Sequence, residues 1–191
     1  PTHINPIHAP HRQCLGIPIF DVDSRIIDPV TEYELGPNQT GEIVTKAPQL
    51  FQGYWQRPKE TEAAFCELDG KRFFRTGDIG YYDEQGYFYF SDRLKRMINV
   101  SGLKVWPAEV EAILHSHPDI SEACIVGDAH PRTGEAVRAV IVPTKSDAVP
   151  DRDELVLWCR NNMASYKVPR LIEFRKELPR SANGKVMWKD L

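Results

Sequence analysis

Up to about Tyr89 the chain is cut into short extended segments by turn residues, and after Lys95 that pattern gives way to helical and strand periods in alternation. This change limits the possible folds more than any other feature. In the first part, residues 16–27 alternate loosely, with Ile17, Ile19, Val22 and Ile26 as apolar points. Asp28-Pro29 and Gly36-Pro37-Asn38 break the run. Gly41-Glu42-Ile43-Val44-Thr45 is β-branched and reads as a strand, and Tyr87-Phe88-Tyr89-Phe90 as an aromatic one. Pro58 opens a short helix predicted over 58–65. These signals predict a small all-β unit, barrel-like and distorted.

After Lys95, Met97-Ile98-Asn99-Val100 and Leu103-Lys104-Val105 bracket Ser101-Gly102, which predicts a hairpin. Pro107 starts a helix carrying Val110, Ile113 and Leu114 on one face and closing before Pro118. Strands are predicted over 120–126 and 136–142, with a turn region at 128–134 between them. A second helix follows over 151–163, entered through acidic residues that suit its positive end. Leu171-Ile172-Glu173-Phe174 adds another strand. The expected fold class is therefore α+β: a β subdomain over 1–93, then an α+β domain over 94–191 with helices on a small antiparallel sheet. No Gly/Ser-rich linker separates them, so the joint near Arg93 to Lys95 is short and specific.

The 191 residues carry a formal net charge of -3, which leaves no basic footprint for nucleic acid. No apolar run approaches the roughly 18 residues of a membrane span. The chain opens at Pro1 with neither an initiator Met nor a signal-peptide pattern, and is expected to be a piece of a longer protein. Cys14, Cys66, Cys124 and Cys159 lie far apart without a CxxC pair, which favours packing in a reducing cytoplasm over metal or redox chemistry. His115 and His117 are two apart and do not share a helix face, so no metal site is expected there. His3, His8 and His11 fall in a Pro-rich opening expected to wrap another part of the protein.

Three short constellations carry chemistry. Asp78 follows Gly77 in what reads as a turn, where a carboxylate can accept from two cis hydroxyls of a ribose. It can equally cap its own backbone. Arg93, fifteen positions later, can pair with phosphate or reach the ribose, or simply bind Asp92. Lys185 follows Asn183-Gly184, a strong turn signal that presents the lysine from a loop. A carboxylate attacking a phosphate must overcome repulsion between anions, and one ammonium touching both relieves it in the transition state. A solvated loop lysine is the plain alternative.

Taken together and in order, these pieces resemble the adenylate-forming enzymes, the superfamily of acyl-CoA synthetases, luciferases and peptide-synthetase adenylation domains. The resemblance runs from Glu42-Ile43 through Gln52-Gly53-Tyr54-Trp55 and Phe74-Arg75-Thr76-Gly77-Asp78-Ile79. It continues through Asp92-Arg93-Leu94-Lys95, Ser101-Gly102-Leu103-Lys104-Val105 and Pro107-Ala108-Glu109-Val110-Glu111, and ends with Ser165-Tyr166-Lys167-Val168-Pro169 and Asn183-Gly184-Lys185-Val186. It implies that Asp78 holds the ATP ribose, that Arg93 assists at the nucleotide, and that Lys95 is the hinge of a mobile C-terminal domain. Lys185 is then the catalytic lysine of adenylation, and Ser101, Gly102, Leu103 and Lys104 line the route of the CoA thiol. The implied partners are a carboxylic acid, ATP with Mg2+, CoA, and a preceding N-terminal domain that carries the phosphate loop and acyl pocket. The fragment alone is then expected to be inactive.

Met97-Ile98-Asn99-Val100-Ser101-Gly102 and Val105-Trp106-Pro107-Ala108-Glu109 are most similar to medium- and long-chain fatty acyl-CoA ligases. The implied location is cytoplasmic, peripheral to a membrane at most. Two rivals stand beside this reading: an amino-acid-adenylating or luciferase-like member of the same superfamily, and a non-catalytic α+β binding or dimerisation module.

Overall fold

The computed structural model describes residues 1–145 and 149–191, which divide into two compact units, Pro1–Lys95 and Arg96–Leu191. The fold class is α+β, mostly sheet with few helices.

The first unit is built around one long strand. Its elements are β1 (His3–Ile4), β2 (Ile17–Pro18), β3 (Asp23–Ile27), β4 (Gly41–Lys46), α1 (Pro58–Ala63), β5 (Phe65–Leu68), β6 (Lys71–Tyr82) and β7 (Phe88–Arg93). β6 pairs with β4 on one side; on the other it pairs with β5 along its first half and β7 along its second, all antiparallel. Consecutive residues point to opposite faces, and here both faces are buried. Ile26, Ile43 and Phe88 pack on one face, and Ile27, Val44, Cys66 and Phe73 on the other. The sheet curls into a half-barrel, as the closely spaced turns predict. Each of these side chains contributes roughly 1.5–3 kcal/mol by leaving water.

α1 is shorter than the sequence suggests. It stops at Ala63, and Phe65 instead begins β5, facing Phe74 across the ladder with ring centroids 5.7 Å apart. Phe51 joins the same aromatic group. Burying a ring among rings outweighs one more helical residue.

The second unit consists of β8 (Ile98–Val100), β9 (Leu103–Val105), α2 (Pro107–Leu114), β10 (Ile120–His130), β11 (Gly134–Pro143), α3 (Arg152–Asn162) and β12 (Leu171–Phe174). The β8–β9 hairpin forms where Ser101-Gly102 predicts it. β10 and β11 run further than the predicted strands. Their ladder reaches His130 opposite Gly134, and residues 128–130, expected in a turn, are paired. Asp128 is held there by the Arg138 guanidinium at 2.9 Å. β12 pairs with β11 in parallel, giving the otherwise antiparallel sheet one parallel member.

Alternation along β10 and β11 sorts the core. Ala123, Ile125, Val137, Ala139 and Ile141 face Val110 and Leu114 of α2 and Leu155 and Cys159 of α3. Cys124, Val126, Val140 and Val142 face the other way, onto Leu178, Val186, Trp188 and Leu191 of the C-terminal segment. α3 is capped by Asp151, whose carboxylate accepts from the N–H groups of Asp153 and Glu154. Such a cap contributes about 1 kcal/mol.

All four cysteines are free, and only Cys14 is more than marginally exposed. Burial pushes the thiols of Cys124 and Cys159 up to about 11, and raises that of Cys66 as well. In the folded chain at pH 8, one thiol is expected to react with an aromatic disulfide reagent within minutes, and all four after denaturation. Fast reaction of two or more thiols in the native state would contradict the packing described.

Candidate functional site

Asp78 does not sit in a turn. It lies inside β6, at an irregularity where β6 and β4 fall out of step. Glu42 pairs with Ile79 and Val44 with Arg75, so Thr76, Gly77 and Asp78 all lie opposite the single residue Ile43. This is an enlarged β-bulge, the device that re-aims a side chain at the edge of a ladder. Gly77 takes φ +69°, a left-handed backbone that favours glycine.

The bulge is fastened by side chains. Glu42 is 1% exposed. Its Oε2 accepts from Arg75 Nε at 3.0 Å and from Arg75 Nη2 at 2.7 Å, and its Oε1 accepts from the Gly77 N–H at 3.1 Å. Thr76 Oγ1 donates to the Ile43 carbonyl at 2.6 Å and accepts from the Asp78 N–H at 3.0 Å. Arg75 also reaches Glu32 at 2.7 Å, so its charge is shared between two carboxylates.

Asp78 pairs in register with Arg93 of β7, and their side chains form an ion pair. The sequence offered Asp92 as the partner of Arg93. Asp92 is instead buried, and its carboxylate accepts from the Arg93 backbone N–H at 2.6 Å. Of the residues expected to act, the structure thus brings Asp78 and Arg93 together. Burial pushes the Asp78 carboxyl above its ordinary value of 3.8; Arg93 pulls the other way, and Glu42 adds a smaller push upward.

In the second unit, Lys185 sits on an exposed loop closed by three backbone contacts. Ser181 N–H donates to Lys185 O, Gly184 N–H to Ser181 O, and Met187 N–H to Pro179 O. Arg180 stiffens the loop, donating to the Gly184 carbonyl at 2.7 Å and to Glu122 of β10 at 2.5 Å. With Arg180 so engaged, Lys185 is left facing solvent. The Ser101-Gly102 turn has φ +53° and +84°, the hairpin geometry with both central residues left-handed. Asn99 Oδ1 accepts from the Gly102 N–H at 2.8 Å, and Thr133 O accepts from the Ser101 N–H at 2.9 Å. Leu103 and Lys104 continue into β9, Leu103 half exposed.

These contacts put the two loops at opposite ends of the β10–β11 ladder. Glu122 anchors the Lys185 loop at one end, whereas Gly134 and Thr133 anchor the hairpin at the other. Eight residues of extended chain separate Glu122 from His130, roughly 26 Å at the usual rise per residue.

Lys95 lies in a short 3-10 turn, Leu94–Arg96, and is exposed. The residues around it are held. Arg93 is in β7, and Arg96 is bound to Glu111 of α2, whose Oε1 also accepts from the Ile125 N–H at 2.8 Å. Sequence reasoning missed Glu42, Thr76 as a brace, and Glu111. A carboxylate within the β-branched run Gly41-Glu42-Ile43-Val44-Thr45 is the signal that marks Glu42.

Residues 109–185 match the family described as AMP-binding enzyme C-terminal domain. The long-chain-fatty-acid–CoA ligase of Escherichia coli O6:H1 is 39% identical over 181 residues, covering 95% of this chain and 31% of its own length. The chain belongs to the adenylate-forming enzymes. The 2-succinylbenzoate–CoA ligase of Geobacillus kaustophilus is 46% identical over 155 residues, 81% of this chain and 31% of that protein. ATP-bound MatB from Rhodopseudomonas palustris superposes with a TM-score of 0.83 at 33% identity, over 95% of this chain and 35% of its own. The chain spans about a third of the length of the curated relatives it matches.

The raised Asp78 carboxyl gives a stability prediction. A carboxyl raised by folding contributes fully below its ordinary value near 3.8, and that contribution is lost as pH rises through the folded value. Ionised Asp78 therefore weakens the fold at neutral pH. Asp78→Asn is expected to raise Tm at pH 7 by about 1–3 °C, with the difference closing near pH 3.5. A fall in Tm at pH 7 would mean that the Arg93 pair outweighs the burial.

Proposed function

We propose that this chain is the C-terminal portion of an ATP-dependent acid–thiol ligase, which activates a carboxylic acid as an acyl-adenylate and passes the acyl group to CoA. The observation that carries the reading is the separation within the second unit. The Lys185 loop is anchored at Glu122 and the Ser101-Gly102 hairpin at Gly134, points at opposite ends of one ladder and roughly 26 Å apart along β10, so the two are proposed to serve the reacting carbon in separate poses.

In the first half-reaction, an oxygen of the acid attacks the α-phosphorus of ATP and the bond to pyrophosphate breaks. Asp78 accepts hydrogen bonds from the ribose hydroxyls, and Arg93 fixes the carboxylate that does so. The Lys185 ammonium offsets the negative charge shared by the attacking carboxylate and the phosphate. In the second, the CoA sulfur attacks the acyl carbon, its proton is lost, and AMP departs. The hairpin 101–104 lines the approach of the thiol. Lys95 is the pivot, since Arg93 and Arg96 on either side of it are each tied into their own unit.

No cluster of three or more metal-ligating side chains occurs among the described residues. Mg2+ is taken to accompany the ATP phosphates as part of the substrate. The acid is proposed to be a fatty acid, following the name of the Escherichia coli relative and the Val105-Trp106-Pro107-Ala108-Glu109 similarity. A relative named for 2-succinylbenzoate is at least as similar over the region it matches, so the choice of acid rests with residues outside this chain.

Two experiments on the whole enzyme test the reading. Lys185→Ala is expected to lower acid-dependent ATP–pyrophosphate exchange by about 100-fold or more, with Tm unchanged and thioester formation from supplied acyl-adenylate retained. Exchange within a few-fold of the parent would favour a binding or dimerisation module. Lys95→Pro, which fixes one torsion of the pivot, is expected to spare one half-reaction and suppress the other. Normal rates in both would remove Lys95 as the pivot. The isolated chain is expected to show no exchange above background.

A further inference from the structure

We propose that Glu42 and Thr76 are positioning residues that set the orientation of Asp78, so that recognition of a nucleotide ribose depends on two side chains that never touch the nucleotide. The inference rests on the assignment of Asp78 to the ribose hydroxyls.

The geometry of the bulge carries the argument. Three residues of β6 face one residue of β4, so the ladder cannot pair the backbone of Thr76, Gly77 and Asp78 in the ordinary way. A bulge without partners would be free to move, and its buried polar groups would be costly. Side chains supply the missing partners. Glu42 Oε1 takes the Gly77 N–H, Thr76 Oγ1 takes the Asp78 N–H, and the same hydroxyl donates to the Ile43 carbonyl.

Glu42 is also an expensive choice. Its neighbours Ile43 and Val44 show that an apolar residue is readily buried in this strand, and a carboxylate at 1% exposure must be fully partnered to be tolerated. An apolar residue has no acceptor, and an amide would put an NH2 donor in place of one of the two oxygens, setting donor against donor at either Arg75 or the Gly77 N–H. The carboxylate serves both, and so couples the bulge to the strand behind it. A side chain built on Gly77 would meet nothing within 4 Å, so the brace lies on the β4 side of the bulge alone at that point. The segment is therefore braced by side chains on the β4 side. Displacement of a binding group by about 1 Å is enough to cost a large share of its effect.

The test is the preference for ATP over 2′-deoxy-ATP in acid-dependent pyrophosphate exchange by the whole enzyme. A structural defect lowers activity with both nucleotides and leaves their ratio alone. The parent is expected to prefer ATP by about tenfold or more in kcat/KM. Asp78→Ala is expected to abolish the preference. Glu42→Gln is expected to cut it below about threefold and to raise KM for ATP about tenfold, with kcat changed much less. Thr76→Val, close in shape and lacking the hydroxyl, is expected to lower the preference in the same direction; it decides the matter if Glu42→Gln fails to fold. Retention of the parent's preference in Glu42→Gln and Thr76→Val, alongside its loss in Asp78→Ala, would overturn the positioning role and leave the ribose assignment standing. A parent without preference, or an Asp78→Ala enzyme that keeps it, would overturn the ribose assignment and the positioning role with it.

Discussion

A carboxylate that water hardly reaches holds the first unit in its working shape. Glu42 is buried on a strand of apolar neighbours, and both of its oxygens are occupied, one by Arg75 and one by the backbone of Gly77. Through those bonds the departure of β6 from its ladder becomes a defined bulge, and Asp78 is delivered beside Arg93 on the next strand. The curl of the sheet follows from the same strand. β6 serves β4 along one edge and both β5 and β7 along the other, and its register breaks against β4 and β7 while its pairing with β5 stays regular.

The second unit depends on a different constraint, the length of one ladder. After the bulge at Ile120/Glu122, β10 and β11 alternate, one face covered by α2 and α3 and the other by the C-terminal segment. Covering both faces makes the ladder a stiff spacer, and two loops are pinned to its opposite ends by Arg180–Glu122 and Gly134–Val100. Arg96, tied to Glu111, marks where that unit begins.

Elements with strong local signals were legible from residues alone. The β8–β9 hairpin follows from Ser101-Gly102, α2 from Pro107 with Val110 and Leu114, and α3 from the acidic approach to its first turn. The end of α1, the extent of β10 and the setting of Asp78 were not. In each case a distant partner overrode the local pattern. Phe65 goes to the ring of Phe74, Asp128 to the Arg138 guanidinium, and the segment around Gly77 to Glu42, thirty-five positions earlier. A glycine followed by an aspartate reads as a turn when its neighbours are all that is seen, and becomes a bulge only when the strand opposite is known.

The residue sequence by itself determined the fold class, the order of the strands and helices, and the family, because these rest on periodicity, turn chemistry and a series of short motifs in fixed order. The tertiary structure decided which charges meet: Asp78 with Arg93 rather than Arg93 with Asp92, Glu42 with Arg75 and Gly77, Arg96 with Glu111. It also decided at which positions along the β10–β11 ladder the Lys185 loop and the hairpin are anchored. The physical reason is the same for both. Charge pairing and spacing depend on strand register, and register is set by packing across the sheet between residues far apart in the chain.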